Sequence, residues 1–302
     1  MANRDMPLVT QILTMVELQN RNNKIQHCDD WMERGDDNRP DHRAAYIELV
    51  EGLVHKGWGQ WWKKAPELTD SQRRQFNLEL VDVFHFLMSL EMRDVTAQSF
   101  LMDPALPKPC PIQSTTQTIF EAFAETATPQ EMGDDQDING YIDHLVGYLA
   151  LHREVDWAAF VNILDMAEFD FSELYAWYIG KNALNMFRTC NGYKAGDYLK
   201  NEWGLFRDQE DNVALETFIV NHTGEYFTFR EVYDYLAEQY ETVYSQHIAQ
   251  DTDAKQWIDN RQIAWGENDD GLCWAFVPEE TGVEPIWHQY KGWSGNQQPV
   301  FE

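Results

Sequence analysis

The chain has 302 residues, with 23 Lys and Arg against 51 Asp and Glu and a formal charge of −28. At 43 % hydrophobic and 14 % aromatic residues it is too rich in core-forming side chains to be a disordered acidic tail. So acidic a surface argues against nucleic acid and anionic membranes as partners, because both need a basic face. No apolar run approaches the roughly 18 residues of a membrane span, and the polar start MANRDMPLVT lacks the order of a signal peptide. Four scattered cysteines without a CxxC pair read as free thiols, so a soluble cytoplasmic protein is expected.

Between Pro7 and Asn23, Leu8, Ile12, Met15, Val16 and Leu18 recur at helical spacing. A polar loop (29–42) follows, then a helix from about Ala44 to Val54 and a Gly- and Trp-rich segment, 55–66. Thr69 or Asp70 is placed to cap a third helix carrying Phe76, Leu80, Val83, Phe84, Leu87 and Met88. The proline cluster 103–111 must be a loop. Thr115–Thr126 and Ile138–His152 are predicted helices, and the apolar stretch from Trp157 is predicted to run unbroken through Arg188. Residues 216–302 read as an appendage, helical at first, with short strands near CWAFV and PIWHQY. The fold class is therefore all-α: a helical bundle over 1–215 carrying a C-terminal extension, 216–302, of mixed or irregular structure.

Two features carry chemistry. Glu48 and Glu51, and again Glu79 and Asp82, are spaced i, i+3, which puts each pair of carboxylates on one helix face. Glu79 and Asp82 lie among Phe76, Leu80, Val83 and Phe84, where a carboxylate is costly unless a cation compensates it. Two such helices packed antiparallel would converge four hard oxygen donors suited to Mg2+; the competing reading is a pair of solvated acidic stripes. The second feature is a basic island, residues 178–200, with Lys181, Arg188, Lys194 and Lys200 against Asp197 alone. Lys181, Asn185 and Arg188 share a helix face, and Gly192 and Gly196 frame Tyr193 and Lys194, a pattern that suits a polyphosphate or a self-solvated helix. Zinc, nucleophilic-triad, P-loop and dinucleotide signatures are absent from the sequence.

The order of these motifs resembles the dimeric all-α dUTP diphosphatases, part of the all-α NTP pyrophosphatase superfamily that includes MazG. The likeness rests on ExxE (Glu48, Glu51), WGQWWKK (58–64), ELVDVFHF (79–86), the block 178–198 and the EDN triplet Glu210–Asn212, and it covers about residues 8–215. It implies hydrolysis of dUTP to dUMP and pyrophosphate by a metal-activated water, with two or more Mg2+ held by Glu48, Glu51, Glu79 and Asp82. Glu48 would take the proton of the water. Lys181, Asn185, Arg188, Tyr193, Lys194 and Lys200 would cradle the triphosphate, and Gln19 and Asn23 would read the base. Phe84, Trp61 and Trp62 would wall the nucleoside, with Lys63 beside them and His85 against the sugar. A homodimer is the family's usual state. Three departures stand out: Gly59 and Gln60 within the Trp segment, Val54 where an acid often sits, and extra residues at 199–209. The alternatives are a broader dUTP/dCTP or MazG-like pyrophosphatase, a site that also takes dUDP, and a non-catalytic nucleotide sensor. Gln19 and Asn23 alone leave uracil against cytosine open, because an amide serves either by turning over.

Overall fold

Thr69 starts the longest helix among the described residues. Its hydroxyl accepts from the Gln72 backbone N–H while the Gln72 side chain accepts from the Thr69 N–H, a reciprocal cap that satisfies two of the orphan donors of a helix start. In the computed structural model, which describes residues 6–34, 39–57, 62, 68–124, 137–203, 209–223 and 227–250 and three short strands beyond, this helix is α3, Asp70–Leu101. Before it come α1, Leu8–Gln26, and α2, Asp41–His55; after it come α4, Pro111–Ala124, and α5, Ile138–His152. Pro111 begins α4 rather than ending the loop, because a first-turn proline forfeits no intrahelical bond.

The stretch from Trp157 is not one helix. It divides into α6, Trp157–Met166, and α7, Phe171–Cys190. Glu168 takes a left-handed φ of 55°, and the Asp170 carboxylate caps α7 by accepting from Glu173 N–H at 2.9 Å. Apolar periodicity runs across the break because Phe169 is buried within it, and the local cap signal decides the boundary.

The chain continues through α8, Asp211–Asn221, and α9, Phe229–Gln250. Helix α8 spans the expected 215/216 boundary, and α9 packs on α7 through an aromatic group in which Tyr240 meets Phe187, Tyr198 and Trp203. Val232, Leu236, Tyr240 and Val243 of α9 thus belong to the same core as α3 and α7. Farther on, β1, Ile263–Asn268, β2, Gly271–Phe276, and β3, His288–Gln289, form an antiparallel sheet in that order. The two later strands fall where CWAFV and PIWHQY predict them; β1 was not foreseen. The fold is all-α, with α3 as the spine that α1, α2, α4 and α7 pack against.

Candidate functional site

Helices α2 and α3 approach closely at Gly52, where an added Cβ would lie 3.0 Å from the Phe76 ring and 3.7 Å from the Glu79 Cβ. That contact sets the two acidic pairs facing each other. Carboxylate oxygens of Glu48, Glu51 and Glu79 gather within 4.8 Å of one another. Asp82 stands just outside this triad, with Lys181 Nζ 2.8 Å from its Oδ2, and His55 Nε2 lies 3.1 Å from Glu79 Oε1. Burial, then the charges of Asp82 and Glu79, push the Glu48 carboxyl up to about 8. Burial followed by Asp82 likewise raises Glu79. A cluster of oxygen donors whose mutual repulsion Lys181 and His55 offset only in part has the chemistry of a hard divalent-cation site.

Helix α7 supplies the facing wall. Lys181 is 4 % exposed and reaches both Asp82 and Asn212 Oδ1, at 3.3 Å. Arg188 is held in a two-pronged pair with Asp211, Nε to Oδ2 and Nη2 to Oδ1 both at 2.7 Å, and Asp211 also accepts from Tyr198 OH at 2.8 Å. Asp211 is fully buried, so this pair is a strut as well as a charge facing the cleft. After α7, Gly192 and Gly196 adopt φ near +80°, which brackets a 3-10 turn, Tyr193–Ala195, and brings Tyr193 and Lys194 to the cleft. Lys194 donates to the Gln26 carbonyl across it.

The third side is built from amides. Gln19 and Asn23, on successive turns of α1, are buried and hydrogen bonded to each other, to Ser89 and, through Gln19, to His85 and Tyr178. Burial pulls the His85 imidazole down to about 4, so it is neutral at pH 7. Among the described residues, His85 Nε2 and Arg39 Nη1 are buried without a partner.

These three walls enclose a cleft of about 300 Å3. Of the residues singled out from sequence, Gln19, Asn23, Glu48, Asp82 and His85 line it from one side and Lys181, Asn185, Arg188, Tyr193 and Lys194 from the other. Glu51 and Glu79 are not in the lining but join Glu48 in the acidic cluster. Trp61 and Lys63 lie outside the described residues. Trp62 is 63 % exposed and is not part of the lining, and Lys200 pairs instead with Glu210 at 3.6 Å. Phe84, expected against the nucleoside, is fully buried and stacks on Phe160 with ring centroids 5.7 Å apart. Phe86 lines the cleft in its place, since two residues along a helix face nearly opposite ways. Arg39, Asn22 and Gln26, which were not among the residues singled out from sequence, also line the cleft. Asn22 and Gln26 repeat the i, i+4 amide spacing of Gln19 and Asn23, a signal that was available; Arg39 sits in a loop with no periodicity to mark it.

A protein-family model described as dUTPase matches residues 11–193, well over half of the chain. No curated protein matches it. The matched segment holds every residue that lines the cleft except Lys194, and it leaves out Asp211 and Asn212, which hold Arg188 and Lys181 from behind. The chain belongs to the dUTPase family, the dUTP diphosphatases.

Proposed function

We propose that the chain hydrolyses dUTP to dUMP and pyrophosphate with Mg2+ in this cleft. The observation that carries the reading is the convergence of Glu48, Glu51 and Glu79 on one point, beside a cleft whose opposite wall presents Lys181, Asn185 and Arg188. Glu48, Glu51, Glu79 and Asp82 would hold the metal. Bound there, Mg2+ supplies positive charge to the phosphate oxygens and lowers the pKa of a water. Glu48, the member of the triad that also lines the cleft, accepts the proton as water attacks phosphorus. The bond between the α- and β-phosphoryl groups breaks and pyrophosphate leaves, without a covalent enzyme intermediate. Lys181, Asn185, Arg188, Tyr193 and Lys194 hold the triphosphate, with Asp211 and Asn212 keeping Arg188 and Lys181 in place. Asn23 faces the base with His85 beside it, in place of the sugar contact expected of His85, and Gln19, expected to read the base directly, orients both through its hydrogen bonds to them. A homodimer fits the exposed apolar stripe Ile47, Val50 and Val54 on α2, which light scattering of the purified chain would test.

Pyrophosphate release measured over dUTP, dCTP, dTTP and dATP tests the substrate. A preference for dUTP of less than about tenfold in kcat/KM, about 1.4 kcal/mol, would sink the assignment. Asp82→Asn is expected to abolish turnover while the helical circular dichroism is retained. Full activity in that variant would remove Asp82 from the metal set.

A further inference from the structure

The amide end of the cleft is a ring of groups that can each reverse. Gln19 and Asn23 carry an oxygen and an amino group that exchange by a half-turn, and His85 has two tautomers. Gln19 joins them. Its Nε2 lies 3.2 Å from Asn23 Oδ1 and 2.9 Å from Ser89 Oγ, and its Oε1 lies 2.6 Å from His85 Nδ1. In this sense His85 donates from Nδ1 and keeps a lone pair on Nε2. Asn23 gives one N–H to Ser89 at 2.9 Å and keeps the other to give. Turned the opposite way, the ring would present an N–H at His85 Nε2 and a carbonyl oxygen at Asn23. The first pattern complements uracil, which offers N3–H and the O4 acceptor. The second complements cytosine, with its bare N3 and 4-amino group.

Arg39 breaks this symmetry. A guanidinium has donors only, so the Asn23 atom 2.8 Å from Arg39 Nη2 must be the oxygen. Arg39 cannot swing away easily: its Nε is 2.6 Å from Asp41 Oδ1, and its guanidinium lies 5.2 Å over the Trp31 ring. Asp41 is itself buried and also takes Arg93 Nη1 at 3.1 Å. Ser89 leans the same way, because its hydroxyl donates to the His85 carbonyl at 2.9 Å and leaves its oxygen to accept. That anchor is neutral, however, and charge-assisted hydrogen bonds are roughly twice as strong as neutral ones.

We propose that Arg39 fixes the polarity of this ring and thereby makes the site take a 4-keto pyrimidine over a 4-amino one. It is a positioning residue that sets specificity through Asn23, Gln19 and His85, and the proposal rests on the dUTP reading above. The test is kcat/KM for dUTP and for dCTP in the wild type, Arg39→Met and Arg39→Gln. Glutamine restores a hydrogen bond but can face Asn23 in either sense, so it should lose selectivity as methionine does; it also keeps the test available if Arg39→Met fails to fold. The dUTP:dCTP ratio should fall about tenfold in both variants, the worth of one charge-assisted hydrogen bond. The kcat/KM for dCTP should rise in absolute terms, which a merely loosened site would not produce, and the loss for dUTP should fall on KM more than on kcat. Parallel losses for both nucleotides, or an unchanged ratio, would overturn the proposal. A wild type with no preference for dUTP would instead overturn the function proposed above.

Discussion

Replacing Glu48 by Gln should stabilise the metal-free protein above neutral pH while it destroys activity. The Glu48 carboxyl is pushed up to about 8 from an ordinary 4.5, first by burial and then by Asp82 and Glu79. The native state therefore holds a proton that the unfolded chain has released. Stability is fully present below about pH 4.5 and is lost as pH rises through about 8. Carboxylate oxygens within 4.8 Å repel by about 3.5 kcal/mol at an effective dielectric of 20. Water reaching the half-exposed cluster screens this to about 1–2 kcal/mol. For a chain of this size that is about 2–8 °C in Tm. Thermal melts in EDTA should place Glu48→Gln above the wild type by that amount near pH 8.5, by the unfolded-state linkage, and level with it near pH 4.5. Added Mg2+ should then raise the wild type more than the variant, because binding to the native state alone stabilises it by mass action. A variant no more stable than the wild type in EDTA near pH 8.5 would refute the argument that these carboxylates repel one another in the native state.

Asp211→Asn should cost about 3–5 kcal/mol in urea denaturation, since it leaves Arg188 buried without its counter-charge, and a loss below about 1 kcal/mol would show the strut to be dispensable. Gly52→Ala must displace the buried Phe76 ring, over which Lys56 Nζ sits at 3.9 Å. Overpacking of about 1–3 kcal/mol should outweigh the helix-propensity gain of about 1 kcal/mol. Calorimetric titration with Mn2+ should show weaker binding in the same variant, as Glu48 and Glu51 are pushed from Glu79; a more stable variant with unaltered binding would mean that the close approach does not set the cluster.

The helices and the two acidic pairs were legible because their signals are local. A 3.6-residue period shows which side chains share a face, and i, i+3 spacing pairs Glu48 with Glu51 and Glu79 with Asp82 whatever the rest of the chain does. The cap of α3 at Thr69 was readable for the same reason. The break between α6 and α7 was a local signal too, but Asp170 was outweighed by continuous hydrophobicity. Phe84 and Phe86 could not be told apart by type; the packing of α3 against α6 and α7 sends one inward to Phe160 and Tyr178 and leaves the other on the cleft.

By itself, then, the sequence determined an all-α bundle, the acidic donors and a basic stretch to oppose them. Only the tertiary structure decided which charges are already spoken for. Lys181 meets Asp82 from 99 positions away, Arg188 is locked to Asp211, and Arg39 reaches Asn23 from an unremarkable loop. Such pairings depend on where helices cross and on how deeply each group is buried. Burial controls how strongly a charge is felt and which way an amide must face, and no spacing along a chain encodes either.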